Sequence, residues 1–438
     1  MLRWIPHPAR FTMPIVLVAL CIAFSVATLT LQPPNAQEAS EQILKKLGTP
    51  PISDVLVVAS TSPEDSDFAK ILQGKLLRLG VSQEQWREIF IQGIPLDARK
   101  AIGRRTEKTL TIVQSPDTAS WTLFNDLAGK FPDKDLSVIA PESRWWPVFL
   151  KSQNLINIVN QIVIIAILAV GMTLVILTGG IDLSVGSLIA LSAVLCTLAV
   201  RDWGGGEQAD TFAMILCGLF ALLVCGLCGL LNGLLVVRYQ IPPFIATLAM
   251  MLIASGAAFL LSKGQSINAV PESFVWLGRG EWLGLPVAVL LMIVLYVFTQ
   301  FAMRSTVYGR AIYAIGGNIE ASRLCGIHVR SLITSTYVIC ALLAGLGGLV
   351  MASRLKSGNA TYGVMYELYV IAAVVVGGTS LRGGYGSVIG TLIGALIIAV
   401  IENGMNLIQI ESYTQKVVFG IVILGAVLFD RHTTRRNH

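Results

Sequence analysis

Charge is unevenly confined in this chain, and that limits its fold more than any other feature. Residues 33–145 hold 29 of the 58 Asp, Glu, Lys and Arg residues, and the other 325 residues hold the remaining 29. The first density, about one in four, is ordinary for a water-soluble domain. The second is under one in ten, in a chain that is 54% apolar overall. So much apolar sequence with so little charge needs hydrocarbon as its solvent. The chain therefore reads as a soluble insert within a membrane body. The net charge of +6 divides into −1 on the insert and +7 on the rest. That basic excess is explained by loop topology, and no nucleic-acid partner is expected.

Four segments follow: a basic tip and first span (1–32), the insert (33–145), the membrane body (146–430) and a basic tail (431–438). The apolar run from Met13 to Leu31 is long enough to cross a bilayer, as a retained anchor or a cleaved signal peptide. Within the insert, strands are expected at 54–60, 88–91, 110–114 and 136–140, with helices at 64–79 and 118–129. This alternation predicts a small, mainly parallel α/β domain. Neither G-x-G-x-x-G nor G-x-x-x-x-G-K-[ST] occurs, so no nucleotide site of those kinds is present.

Nine further spans are expected near 155–177, 188–200, 211–237, 245–262, 284–303, 331–353, 366–378, 388–408 and 413–430, making ten. Ten spans put both termini on one side. That side then carries eleven arginines, including Arg3, Arg238, Arg304, Arg330 and Arg436, against six basic residues in the opposite short loops. Arg354 and Lys356 are among those six. The bias predicts cytoplasmic termini and an exported insert in a multi-pass inner-membrane protein. The predicted fold class is an all-α polytopic bundle with broken helices and an internal repeat, plus the α/β domain.

The repeat is suggested by two glycine-rich breaks. One is G-G-I-D-L-S-V-G-S, with Gly179, Gly180, Asp182, Ser184 and Gly186; the other is G-G-T-S-L-R-G-G-Y-G-S, with Gly377, Gly378, Gly383, Gly384 and Gly386. Asn232-Gly233 is similarly echoed by Asn403-Gly404. Backbone freed at such breaks must face protein or a wet cavity. Asp182 is placed to cap the helix that follows it.

Few polar groups lie inside the spans. Asn157, Asn160 and Gln161 crowd one helix, and Asn232, Glu402 and Asn403 lie in others. The five amides both donate and accept, and with the Glu402 carboxyl these six residues suit either a substrate path for hydroxylated solutes or helix-to-helix bonding. No relay of carboxylates runs through several spans, which disfavours an ion-coupled carrier. The seven cysteines avoid the insert, so no disulfide framework is expected there. Cys225 and Cys228 have no second ligand pair nearby and are read as small residues at a helix contact, and no metal site is expected.

The loop 304–330 contains G-G-N-I-E-A-S-R-L-C-G-I. Gly316-Gly317-Asn318 suits a tight turn with Asn318 as N-cap, and Glu320–Leu324 a short helix closed by Gly326. Such a helix fits either a partner's groove or an ordinary connector. This loop resembles the coupling helix of permease subunits in ATP-binding-cassette importers, particularly the ribose/xylose/galactose type. The two glycine breaks, L-N-G-L-L-V (231–236) and I-P-P-F-I-A-T-L (241–248) support the resemblance, which covers about 150–430.

The resemblance implies a transport subunit without enzymatic activity, importing a monosaccharide or similar polyol by alternating access. It implies as partners two ATPase subunits holding ATP and magnesium, an extracytoplasmic sugar-binding protein, and a second permease copy or paralogue. No cofactor is implied in this chain. By position, Asn318, Glu320, Ala321, Arg323, Leu324 and Gly326 would meet the ATPase. The insert is absent from the family's pattern, and a scaffolding or docking role is expected for it. An ion-coupled carrier and a membrane sensor are the competing readings. No nucleophile constellation supports an enzyme.

Overall fold

The computed structural model describes residues 9–48 and 54–435. Arg3, Arg436 and the two extreme chain tips, which entered the topology and domain readings, lie outside the described residues. Leu29–Val148 form one compact unit, and the segments before and after it together form a second. These limits lie a few residues outside the expected 33–145.

The first unit runs β1 (Leu29–Gln32), α2 (Ala36–Leu47), β2 (Val55–Ala59), α3 (Pro63–Arg78), α4 (Gln83–Ile89), β3 (Phe90–Gln92), α5 (Pro95–Arg104), β4 (Thr109–Gln114), α6 (Leu127–Lys130), β5 (Asp135–Ile139) and β6 (Arg144–Pro147). Four strands form a parallel sheet in the order β3-β2-β4-β5. β2 is buried throughout, as an inner strand covered on both faces must be. Its alternate residues serve two cores. Val55 and Val57 pack with Phe68, Leu72 and Trp86, while Leu56 and Val58 pack with Ile102, Ile112 and Leu123. β1 and β6 pair antiparallel from Leu29↔Pro147 to Gln32↔Arg144, so the chain enters and leaves the unit side by side.

Two expectations change here. Glu88 and Ile89 end a helix, and the strand is Phe90–Gln92. The helix expected at 118–129 is replaced by two 3₁₀ turns and the four-residue α6. Ser115, Thr118 and Asp117 there bond locally or to the β2–α3 loop, which competes with helical pairing.

The second unit contains α1 (Ala9–Ala27), α7 (Ser152–Leu177), α8 (Val185–Asp202), α9 (Thr211–Arg238), α10 (Pro243–Ser262), α11 (Trp276–Arg279), α12 (Val287–Ser305), α13 (Val307–Gly317), α14 (Ile319–Leu324), α15 (Val329–Leu355), α16 (Tyr366–Val376), α17 (Val388–Leu407) and α18 (Ser412–Arg435). Among the described residues seven helices, α7, α8, α9, α10, α12, α15 and α17, are long and apolar enough to cross a membrane. α7 is the central one. It has 83% of its most apolar window buried, against 28% for α9 and α10, whose outer faces are left for lipid. α15 packs on α7, α8 and α9. The run expected to span at 366–378 is an 11-residue helix, about 16 Å long at 1.5 Å per residue, too short to cross alone.

Candidate functional site

At one end of the bundle, α13 and α14 follow α12 without leaving the fold. Asn318 ends α13 and caps α14, its side chain accepting the Ala321 N–H at 2.9 Å. Gly326, at φ +81°, closes α14 with a Schellman pair: Ile327 N–H to Ser322 O at 3.1 Å and Gly326 N–H to Arg323 O at 3.0 Å. Ser322 is the buried side of this short helix. Its open side presents Ala321, a Glu320–Arg323 ion pair at 2.8 Å, and Leu324, which is 85% exposed. An apolar side chain so exposed between charges has the form of a groove-seeking contact.

The expected turn at 316–318 is in fact the last turn of α13, which continues to Gly317. A Gly-Gly pair reads as a breaker, but here the glycine serves close packing. A side chain at Gly316 would collide with the Leu177 carbonyl and the Gly384 backbone. Leu177 ends α7 at the first break, and Gly384 lies in the second. The two are joined directly, Gly384 N–H donating to Leu177 O at 2.9 Å. Tyr313 of α13 donates its hydroxyl to Gly386 O at 3.0 Å. The segment that carries α14 thus grips both helix breaks at once.

Within the first break the chain turns back into the bundle. Asp182 is fully buried, and its Oδ1 accepts both the Ser184 N–H (2.9 Å) and the Ser184 hydroxyl (2.6 Å). It does not cap α8 as expected. Ser184 takes the N-cap position without a side-chain cap bond, and Asp182 closes an Asx turn onto it. Asn232 of α9 donates to Ser184 Oγ at 3.1 Å, and the Cys340 thiol lies beside Asp182. Tyr337 is packed against Gly180, where a Cβ would strike its hydroxyl. Gly186, in the first turn of α8, leaves room for the Glu367 carboxylate and the Gly363 carbonyl. Two carboxylates therefore flank the positive end of α8, the arrangement its dipole favours.

In the second break, Gly378, Gly383 and Gly384 hold φ of +87°, +85° and +73°, which folds 378–384 into a tight loop. Gly377 packs on Gly390, and Gly386 on Thr379.

Nearer the other end, a second polar group forms where α7, α15, α16 and α17 meet. Gln161 hydrogen-bonds the Glu402 carboxylate. Arg354 Nη2 donates to Asn160 O at 2.8 Å. Tyr366 lies within electrostatic reach of Glu402 and Arg354, and Tyr369 of Glu402. All six are half-buried. The remaining amides lie elsewhere. Asn403 is locked to Asn154 by reciprocal bonds of 2.9 and 3.0 Å, Asn157 is exposed, and Asn232 belongs to the first break. The sequence reading missed Arg354, Tyr366, Tyr369 and Asn154. Hydropathy places Arg354 in a loop, yet it sits in the last turn of α15 and reaches inward.

Cys225 is buried against Gly345 at the α9–α15 contact, as a small packing residue. Among the described residues no group of three or more His, Cys, Asp or Glu side chains could hold a metal.

Residues 154–427 match the family described as branched-chain amino acid transport system / permease component. The chain is 42% identical over 299 residues to the ribose import permease protein of Escherichia coli K12, covering 67% of this chain and 91% of that one. It is 45% identical over 287 residues to the ribose import permease protein of Bacillus subtilis 168, covering 65% and 87%. It is 35% identical over 291 residues to the L-arabinose ABC transporter permease protein of Azospirillum brasilense, covering 66% and 83%. No solved structure matches. With most of its membrane unit matched in order, the chain belongs to this family of ABC-importer permease components, a transport subunit and not an enzyme.

Proposed function

We propose that this chain is the membrane subunit of an ATP-driven importer that carries a monosaccharide or similar polyol inward by alternating access. The observation that carries the reading is the grip of α13 on both helix breaks, with the exposed α14 beside it. A push on α14 is transmitted through Tyr313 and Gly316 to the ends of α7, α8, α16 and α17. The half-buried group of Asn160, Gln161, Arg354, Tyr366, Tyr369 and Glu402 offers donors and acceptors for sugar hydroxyls on the way in. The family's description names branched-chain amino acids, but the sugar-permease relatives and this uncoupled polar lining favour a polyol.

In this reading α1, α16 and α18 complete ten membrane elements around the seven long helices, the termini are cytoplasmic, and Leu29–Val148 is outside. α14 docks on ATPase subunits that hold ATP and magnesium, a separate sugar-binding protein delivers the solute, and a second permease copy or paralogue completes the pore. The α/β domain acts as a scaffold or docking module.

Co-purification of the detergent-solubilised chain with ATPase subunits tests this, wild type against Glu320→Arg. Reversing one charge of the Glu320–Arg323 pair is expected to abolish association. Proton- or sodium-dependent uptake by the chain alone, with no ATPase bound, would sink the proposal.

A further inference from the structure

Small residues bring α9 and α15 together. A Cβ at Gly229 would lie 3.0 Å from Val338 Cα, and one at Gly233 would lie 2.8 Å from Thr334 Cα. Beyond Gly233, towards the end that carries α14, the contact opens into a groove of about 510 Å³. Its walls are Leu234, Val237, Val338 and Ile339, and its rim is Arg238, Arg330, Ser331, Thr334 and Ser335. The walls lie within two membrane-crossing helices, and the arginines stand at their ends.

The rim holds two guanidinium groups and no carboxylate. Both arginines are exposed, and neither is in an ion pair among the described residues. The start of α15 adds to the positive field. Its N-cap residue, His328, makes no side-chain cap bond, so the Arg330 and Ser331 amides keep their dipole unanswered, while the Val329 N–H donates to Ile327 O at 2.8 Å. An apolar cleft between two membrane-crossing helices under a doubly cationic rim matches one class of molecule: an acyl chain below a phosphate. A soluble protein partner would not fill the apolar walls, and a free anion would not use them.

We propose that the α9–α15 groove is a binding site for an anionic phospholipid, its phosphodiester held between Arg238 and Arg330 and its chains laid along Leu234, Val237, Val338 and Ile339. Such basic pockets between spans suit anionic headgroups by their charge. Arg330 lies in the helix that α14 leads into, so the lipid would steady the root of the coupling segment. The inference requires only that α9 and α15 cross the bilayer, and it stands whatever solute is transported.

The test is lipid retention by the full chain, read by native mass spectrometry after extraction from nanodiscs of phosphatidylglycerol or phosphatidylcholine. Wild type is expected to keep phosphatidylglycerol at least about tenfold better, a preference equivalent to 1.4 kcal/mol. Arg238→Gln/Arg330→Gln should erase that preference, and Arg238→Lys/Arg330→Lys should keep most of it. Equal retention of the two lipids by wild type would overturn the site without relying on any variant. So would displacement of the bound species by millimolar inorganic phosphate, which would mark a free-anion site. If the Gln variant instead keeps its lipid preference but loses its second copy or its ATPase, the groove is a subunit contact and the lipid assignment fails.

Discussion

Gly316 carries the tightest demand placed on any one residue of the 304–330 segment. Its missing side chain lets α13 rest on the Leu177 carbonyl and on Gly384, while its neighbour Gly317 has open space around it. Gly316→Val should therefore separate α13 from both breaks, at an overpacking cost of about 1–3 kcal/mol. ATP-driven uptake should fall at least about tenfold, the equivalent of 1.4 kcal/mol, whereas Gly317→Ala should transport normally. Uptake assays in proteoliposomes distinguish the two, and equal activity of both variants would refute the contact's role. Asn154 and Asn403 make a different prediction. The two bond each other reciprocally in a buried setting, so removing Asn154 strands the Asn403 amide, and removing Asn403 leaves the Asn154 carbonyl oxygen unpartnered while its Nδ2 keeps Phe149 O at 2.9 Å. Either single Ala substitution should cost about 1 kcal/mol in unfolding free energy, and the double no more than about the larger single. Additive losses in a double-mutant cycle would show that the pair is not coupled. Asn403 was visible in the sequence as a membrane amide. Its partner was not, because a span's rotation about its axis is fixed by its neighbours.

At the scale of the element, α14 shows how much local sequence can specify. The N-cap and the glycine stop fall on the residues that side-chain chemistry and φ preference select, Asn318 and Gly326, and the helix, expected from Glu320, begins one residue earlier at Ile319. A six-residue helix has almost no stability of its own, so its ends matter. Asn318→Ala should remove about 1 kcal/mol from the helix and raise hydrogen exchange across 319–325. Unchanged protection there would mean that packing of Ser322, not the cap, holds α14. α13 was not legible in the same way. Glycines near its end mimic a turn, and only contact with Leu177 and Gly384 explains why the helix runs on. α16 was over-read for the related reason that hydropathy reports apolar character and not length. Residues 357–365 lead into it along α8, with Gly358 against Ala193 and Thr197 and Gly363 against Ile189.

For the whole molecule, the α/β unit has its own two-sided core and paired chain ends. Residues 29–148 alone should fold cooperatively, with mixed helix and strand dichroism and a single melting transition. A non-cooperative melt would show that the unit depends on the membrane body. Titrated with pentoses or hexoses, the isolated unit should give no micromolar heat. Within it, the Lys46 ammonium at 2.8 Å hydrogen-bonds Glu142 and holds its carboxyl below the usual range. A carboxyl with a lowered folded value stabilises the native state above its unfolded value, near 4.5, and loses that contribution as pH falls through the folded value. Lys46→Met should accordingly flatten part of the acid limb of a melting-temperature profile below about pH 4.5, by a small amount because the pair is exposed. The sequence alone determined the division into two units of different charge density, the long apolar helices, the parallel α/β character of the insert and the capped short helix after Asn318. Each of these follows from composition, period or local backbone preference, which neighbouring residues carry themselves. Only the tertiary structure decided that Gly316 and Tyr313 join the two breaks. It alone turned Arg354 inward toward the group around Glu402, and it set Asn232 and Asn403 in unrelated settings. Those outcomes depend on which helix faces which at each depth, and that is decided by packing between residues from 48 to 249 positions apart.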